Sequence, residues 1–152
     1  MDKQGEKPVS VNRKARHEYF LEEFLEAGLV LTGTEIKSIR KGSVSFKDAY
    51  IDFADGEAFV RDMHIAPYDH GNIFNHLETR DRKLLLHKKE IAHLRKAIQL
   101  KGYTVVPTRM YLKNGICKLE IALAKGKNLY DKRQTEKERS IKRTIDQAMK
   151  MR

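Results

Sequence analysis

The chain has 152 residues, 40% of them apolar, which can fill one compact core but not two, and no apolar run approaches the roughly eighteen residues of a membrane-spanning helix. Cys117 is the only cysteine, which excludes an internal disulfide or a multi-cysteine zinc site; with no apolar stretch of a secretory signal at the N-terminus, a soluble cytoplasmic protein is expected. The net charge of +10 favours a polyanionic partner, and nucleic acid is the first candidate.

In chain order, residues 1–11 read as a flexible N-terminus, 12–125 as the folded body and 126–152 as a basic tail. Residues 17–31 mix two periods: Phe20, Phe24 and Ala27 fit a helical stripe, whereas Tyr19, Leu21 and Leu29-Val30-Leu31 suit extended chain. Gly28 would cost a helix about 1 kcal/mol relative to alanine, which favours a strand with a bend. Residues 34–41 predict a short helix with Ile36 and Ile39 inward, stopped by Gly42. Strands near 45–53 and 57–65 follow, joined by the hairpin dipeptide Asp55-Gly56. The segment 66–81, rich in Pro, Gly, Asn and His, reads as a loop of a length that is uncommon unless it binds something or is disordered.

Residues 84–101 give the strongest local pattern: Ile91, Leu94 and Ile98 recur at helical spacing and Gly102 supplies a stop. Strands at Tyr103–Lys113 and Ile116–Ala124 come next, around Asn114-Gly115, whose readiness for positive φ predicts a type I′ hairpin. Leu119, Ile121 and Leu123 should face one side and Lys118 and Glu120 the other, with Pro107 at an edge or bulge. Antiparallel strands with one helix before the last hairpin suggest a mainly β fold, an OB-like barrel with flanking helices, and such barrels often bind oligonucleotides.

Charge is unevenly placed. Residues 1–20 carry a net +2, residues 21–124 another +2, and residues 125–152 carry +6. Within the tail, Ile141, Ile145 and Met149 form one narrow apolar stripe beside Thr144 and Ala148. A helix of roughly sixteen residues with so thin a stripe is marginal alone in water, so the tail is expected to fold on its target. A helix docked back on the barrel is the alternative.

Six blocks in unbroken order resemble the SsrA-binding protein (tmRNA-binding small protein B) family: NRKARHEYF at 12–20, EAGLVLTGTEIKSIRKG at 26–42, DGEAFVRDMHIAPYDHGN at 55–72, RKLLLHKKEI at 82–91, KGYTVVPTRMYLKNG at 101–115 and KGKNLYDKR at 125–133. The resemblance implies an OB-like barrel that clasps the elbow of the tRNA-like part of tmRNA, chiefly its D-loop. It implies a tail that enters the empty messenger channel of a stalled ribosome and forms a helix there. Alanyl-tmRNA is then guided into the vacant A site for nascent-peptide tagging and ribosome rescue. It further implies no cofactor, no covalent chemistry, and only indirect links to alanyl-tRNA synthetase and elongation factor Tu, through the RNA.

Carried over residue by residue, the tmRNA-contacting positions are Asn12, Glu26 and Leu85, with Arg13, Lys14, Arg16 and Lys83 as neighbours. Cations neutralise phosphates, and Asn12 can donate and accept towards a base or a 2′-hydroxyl. Glu26 must instead accept from a base amino group or orient a basic neighbour. The triplet Asp131-Lys132-Arg133, with Gly126 as hinge and Lys127 and Tyr130 nearby, would face small-subunit ribosomal RNA in the decoding region. Lys137, Arg139, Lys142 and Arg143 would follow along the channel. Asn128 stands where many family members carry a second lysine, which removes one charge near the hinge.

Three rivals remain. His64, Asp69, His70 and His76 lie within thirteen residues and could suggest a metal-dependent nuclease, though without the fixed spacing of a metal site. A membrane-surface protein could use the basic tail, but the stripe lacks the aromatic residues common on interfacial helices. A general RNA binder would bind unrelated RNAs alike.

Overall fold

The structure is a computed structural model that describes residues 5–68, 75–100 and 102–127. Two tight turns organise its sheet. Asp55 and Gly56 take φ of 53° and 75°, and Asn114 and Gly115 take 52° and 81°, the left-handed values that type I′ hairpins require. The first turn joins β4 (Tyr50–Ala54) to β5 (Glu57–Arg61), and the second joins β8 (Tyr103–Lys113) to β9 (Ile116–Gly126). The elements before them are β1 (Glu6–Val11), α1 (Arg13–Glu18), β2 (Tyr19–Leu29), α2 (Gly33–Arg40) and β3 (Val44–Ser45). Between the hairpins lie β6 (His64–Ile65), β7 (Arg82–Leu85) and α3 (Lys88–Ile98).

Seven strands form one sheet in the order β1-β8-β9-β2-β7-β5-β4, and β3 pairs with β6 in a separate ribbon. Every pairing is antiparallel. β4 folds back against β8, yet among the described residues no backbone ladder joins β4 to β1. The fold is therefore a mainly β, curled antiparallel sheet, with three helices among the described residues.

Several expectations shift by a few residues. Glu6–Val11, within the stretch read as a flexible terminus, pairs along β8 as an edge strand. The bend in β2 lies at Glu23, whose φ is 47° where the register slips between Glu22 and Phe24, and not at Gly28. The helix expected from residue 84 starts at Lys88. Residues 82–85 alternate instead with period two, Arg82 and Leu84 buried and Leu85 exposed, so they complete a strand. The strand expected over 45–53 is interrupted: Ser45 pairs with β6, and the ladder with β5 begins only at Tyr50. Pro107 sits where the β8–β9 register slips before Arg109.

The core lies on the concave face. Ile39, Met63, Leu84, Leu94, Leu119 and Ile121 are buried there. Ile36 is only half-buried. α2 begins with a capping box: Thr32 accepts from the Glu35 N–H at 3.3 Å while Glu35 accepts from the Thr32 N–H at 2.8 Å. The same Glu35 carboxylate, fully buried, takes Arg80 at 2.6 Å and the fully buried Arg82. Arg82 also donates to the Met63 carbonyl at 2.6 Å and the Glu78 carbonyl at 3.1 Å. This cluster ties α2 to the start of β7 and to the chain just before it. No helix among the described residues is long and apolar enough to cross a membrane.

Candidate nucleic-acid interface

Strand pairing determines which side chains share the convex face. On β9, Leu119, Ile121 and Leu123 point into the core, so Lys118, Glu120, Ala122 and Ala124 point outward. Their partners on β2 are Gly28, Glu26, Phe24 and Leu21. Next to β2, Leu85 of β7 pairs with Gly28, and Lys83 lies two residues back on the same face. A Cβ on Gly28 would stand 3.2 Å from the Leu85 Cβ, so glycine is what lets Leu85 lie across β2. Leu85 itself is 55% exposed.

At the other end of this face α1 covers the sheet. Ala15 packs on Val106 and Ala124, flanked by Tyr19 and Leu21. Asn12 is the cap: its Oδ1 accepts from the Ala15 N–H at 3.1 Å, and its Nδ2 donates to the Pro107 carbonyl at 2.7 Å. Its own N–H donates to the Thr108 carbonyl at 2.8 Å. Asn12 is buried, with its side chain committed at both ends. Its role in this structure is to set α1 on the β8 bulge, so that Arg13, Lys14 and Arg16 stand exposed. Lys14 also donates to the Lys47 carbonyl at 3.4 Å across a cleft of about 340 Å³ between α1 and residues 46–50.

Glu26 lies between these groups. Its Oε1 accepts from the Tyr111 hydroxyl and lies 3.6 Å from the Lys113 ammonium. The Tyr111 hydroxyl foremost, then Lys113 and Lys118, holds the Glu26 carboxyl below its usual range although partial burial opposes this. Lys83 donates to Glu57 at 2.9 Å. The face thus offers cations at both ends, an ionised acceptor in the middle and an exposed apolar side chain beside it. That combination suits RNA, in which phosphates, base edges and splayed bases are all within reach of side chains.

Sequence reading missed Tyr111, Lys118 and Arg109. The β8–β9 alternation had already put Lys118 and Glu120 on this face, and the register carries Arg109 and Tyr111 with them. Gly126 ends β9 opposite Tyr19, and Lys127 donates to the Arg16 carbonyl at 3.4 Å, so the chain leaves the sheet beside α1. Tyr130, Asp131, Lys132, Arg133, Lys137, Arg139, Lys142 and Arg143 lie outside the described residues.

His64 and His76, which flank residues 69–74, serve structure. His64 meets Glu78 at 2.7 Å, and His76 bridges Thr34 and the Ile65 carbonyl at 2.9 Å each. Asp69 and His70 lie outside the described residues, among which no three His, Cys, Asp or Glu side chains gather as metal ligands do. Cys117 is buried, which pushes its thiol pKa up to about 12.

A family model described as SmpB protein matches residues 9–151. The chain is 54% identical over 151 residues to an SsrA-binding protein of Clostridium kluyveri, covering 99% of this chain and 96% of that one. It is 53% identical over 148 residues to the SsrA-binding protein of Roseiflexus castenholzii, covering 97% and 94%. A solved chain from "tmRNA-SmpB: a journey to the center of the bacterial ribosome" superposes with a TM-score of 0.68 at 44% identity, covering 80% of this chain and 85% of that one.

Proposed function

We propose, on the premise that the chain belongs to the SmpB family of SsrA-binding proteins, that it binds the tRNA-like part of tmRNA and accompanies it to stalled ribosomes in trans-translation. The observation that supports this site is the gathering on one convex face of α1's exposed cations with Glu26, Lys83 and Leu85, residues drawn from three separate elements. Arg13, Lys14, Arg16 and Lys83 neutralise phosphates around the D-loop and elbow. Glu26 accepts from a base amino group, Leu85 packs on an unstacked base, and Asn12 holds α1 in place for them.

The curled sheet acts as an OB-like barrel whose body stands in for an anticodon arm. The tail from Gly126 enters the empty messenger channel, with Lys127, Tyr130 and Asp131-Lys132-Arg133 against small-subunit ribosomal RNA and Lys137, Arg139, Lys142 and Arg143 beyond. The protein binds and positions RNA in the cytoplasm without covalent chemistry or a cofactor. Alanyl-tRNA synthetase and elongation factor Tu act on the RNA and meet this chain only through it.

The test is binding to the tRNA-like domain of tmRNA against excess elongator tRNA at about 0.15 M salt. Binding that survives the competitor is expected. Replacing Arg13 or Arg16 by alanine should reduce the log–log salt slope by about 0.7–0.9 for each phosphate no longer neutralised. Equal competition by elongator tRNA would refute the assignment and leave a general RNA-binding protein.

A further inference from the structure

We infer that Tyr111 is a positioning residue of the RNA face, whose hydroxyl holds the Glu26 carboxylate so that one oxygen stays turned outward as an acceptor for a base amino group. This deepens the proposed function and rests on its reading of Glu26 as an RNA contact.

The geometry begins with strand spacing. Tyr111 is on β8 and Glu26 on β2, with β9 between them, so their backbones lie about 10 Å apart at the usual interstrand distance. The phenol reaches over β9 to close that gap. Its ring does not swing, because Tyr111 is only 2% exposed and the Arg109 guanidinium lies 4.2 Å from the ring centroid. Arg109 is held in turn by Glu120, its partner across the ladder, and by Glu6 at 3.3 Å. A chain of fixed groups thus runs from the edge strand to Glu26.

The hydroxyl donates to Glu26 Oε1, the oxygen that also faces Lys113. Among the described residues Oε2 has no hydrogen-bond partner, and the side chain is 38% exposed. A solvent-facing glutamate ordinarily samples several rotamers and loses that freedom on binding. Here the ordering is completed on folding, and a carboxylate that is already ionised keeps its second oxygen open to solvent. A donor-bearing base edge meets a preset acceptor, whereas a phosphate meets a negative charge and is turned away.

Tyr111→Phe isolates the hydroxyl, since the ring and its packing against Arg109 remain. Affinity for the tRNA-like domain of tmRNA should fall by about five- to tenfold, the upper part of the range for one ordinary intramolecular hydrogen bond, because the contact to RNA is loosened and not removed. The salt slope should stay unchanged because every phosphate keeps its cation. The Glu26 carboxyl, titrated by carbon NMR, should move up towards its ordinary range. Glu26→Asp, an exposed change that keeps the charge but withdraws it from the hydroxyl, should cause a similar loss. In the Glu26→Ala background, Tyr111→Phe should add no further loss. If Glu26→Ala weakens binding while Tyr111→Phe stays within twofold of the parent, the positioning role is overturned and the RNA contact stands. Additive losses in the double variant overturn it as well. Parental binding by Glu26→Ala, which leaves no acceptor, removes Glu26 from the RNA interface and overturns both.

Discussion

Replacing Glu35 by glutamine removes the carboxylate on which Arg80 and Arg82 converge. Arg82 is fully buried, and its Nε donates to Glu35. The glutamine carbonyl could still accept from one arginine, but its amide N–H groups would face the other guanidinium. Removing one partner of a buried pair costs about 3–5 kcal/mol. Arg82 keeps its bonds to the Met63 and Glu78 carbonyls, which places the expected loss near the lower end, about 3 kcal/mol. With a urea m-value of about 1–3 kcal/mol per molar, the unfolding midpoint should fall by roughly 1–3 M. Circular dichroism at 25 °C would read it. The dependence on pH supplies a second arm. Burial alone would raise the Glu35 pKa, but Arg80, the Thr32 N–H and Arg82 overcome it and hold the group below its usual 4.5. A depressed folded pKa means that the ionised Glu35 contributes fully above the unfolded value, and this contribution is lost as pH falls through the folded one. The stability gap between the parent and Glu35→Gln should therefore narrow in acid. A midpoint shift below about 0.3 M at neutral pH, under 1 kcal/mol at the largest m-value, would refute the reasoning.

Gly28→Val would put its Cβ 3.2 Å from the Leu85 side chain; it should displace Leu85 and weaken tmRNA binding several-fold in a filter-binding assay, with a stability loss of about 1–3 kcal/mol. The Cys117 thiol, buried and pushed up to about 12, should resist an aromatic disulfide reagent at about pH 8 in the folded protein and react fully in urea. Changing Asp131-Lys132-Arg133 to alanines should leave tmRNA affinity intact while abolishing peptide tagging in a reconstituted translation system. Loss of tmRNA affinity would assign the triplet to the other partner.

Local features of the fold were legible where a few neighbouring residues decide the matter. Asn114-Gly115 and Asp55-Gly56 turn the chain because of their own φ preferences, and the stripe of Ile91 and Leu94 needs no distant partner. The misplaced boundaries have the opposite origin. Leu84-Leu85-Leu86 looks helical in isolation, yet Leu84 and Leu85 are driven to opposite faces by partners on β2 and β5. β1 has almost no signal of its own and exists as a ladder on β8. The bulge at Glu23 follows from pairing with β9, and Gly28 is small for Leu85's sake and not for a turn.

For the candidate site, the resemblance pointed to Glu26, Lys83 and Leu85, whose shared face only strand register reveals. Tyr111 and Glu26 are 85 residues apart, and no periodicity within either strand announces their bond. The sequence presents Asn12 as able to donate and accept towards a base or a 2′-hydroxyl, because nothing near it in sequence indicates that the Pro107 carbonyl takes its donor.

The strand order carries a consequence for how the protein is made. β8 and β9 stand between β1 and β2 in the sheet, although they are the last of the described strands to be synthesised. A nascent chain leaving the ribosome from its N-terminus therefore presents β1 with no ladder to join, and β2 with only its two-residue match to β7, until the final hairpin has emerged. Residues 6–29 must wait through roughly a hundred further residues, from Leu29 to Gly126, about five to twenty seconds at ordinary elongation rates of about 5–20 residues per second. The convex face that we assign to RNA cannot exist during that interval. Its assembly is the closing event of folding, set by long-range pairing and not by local propensity.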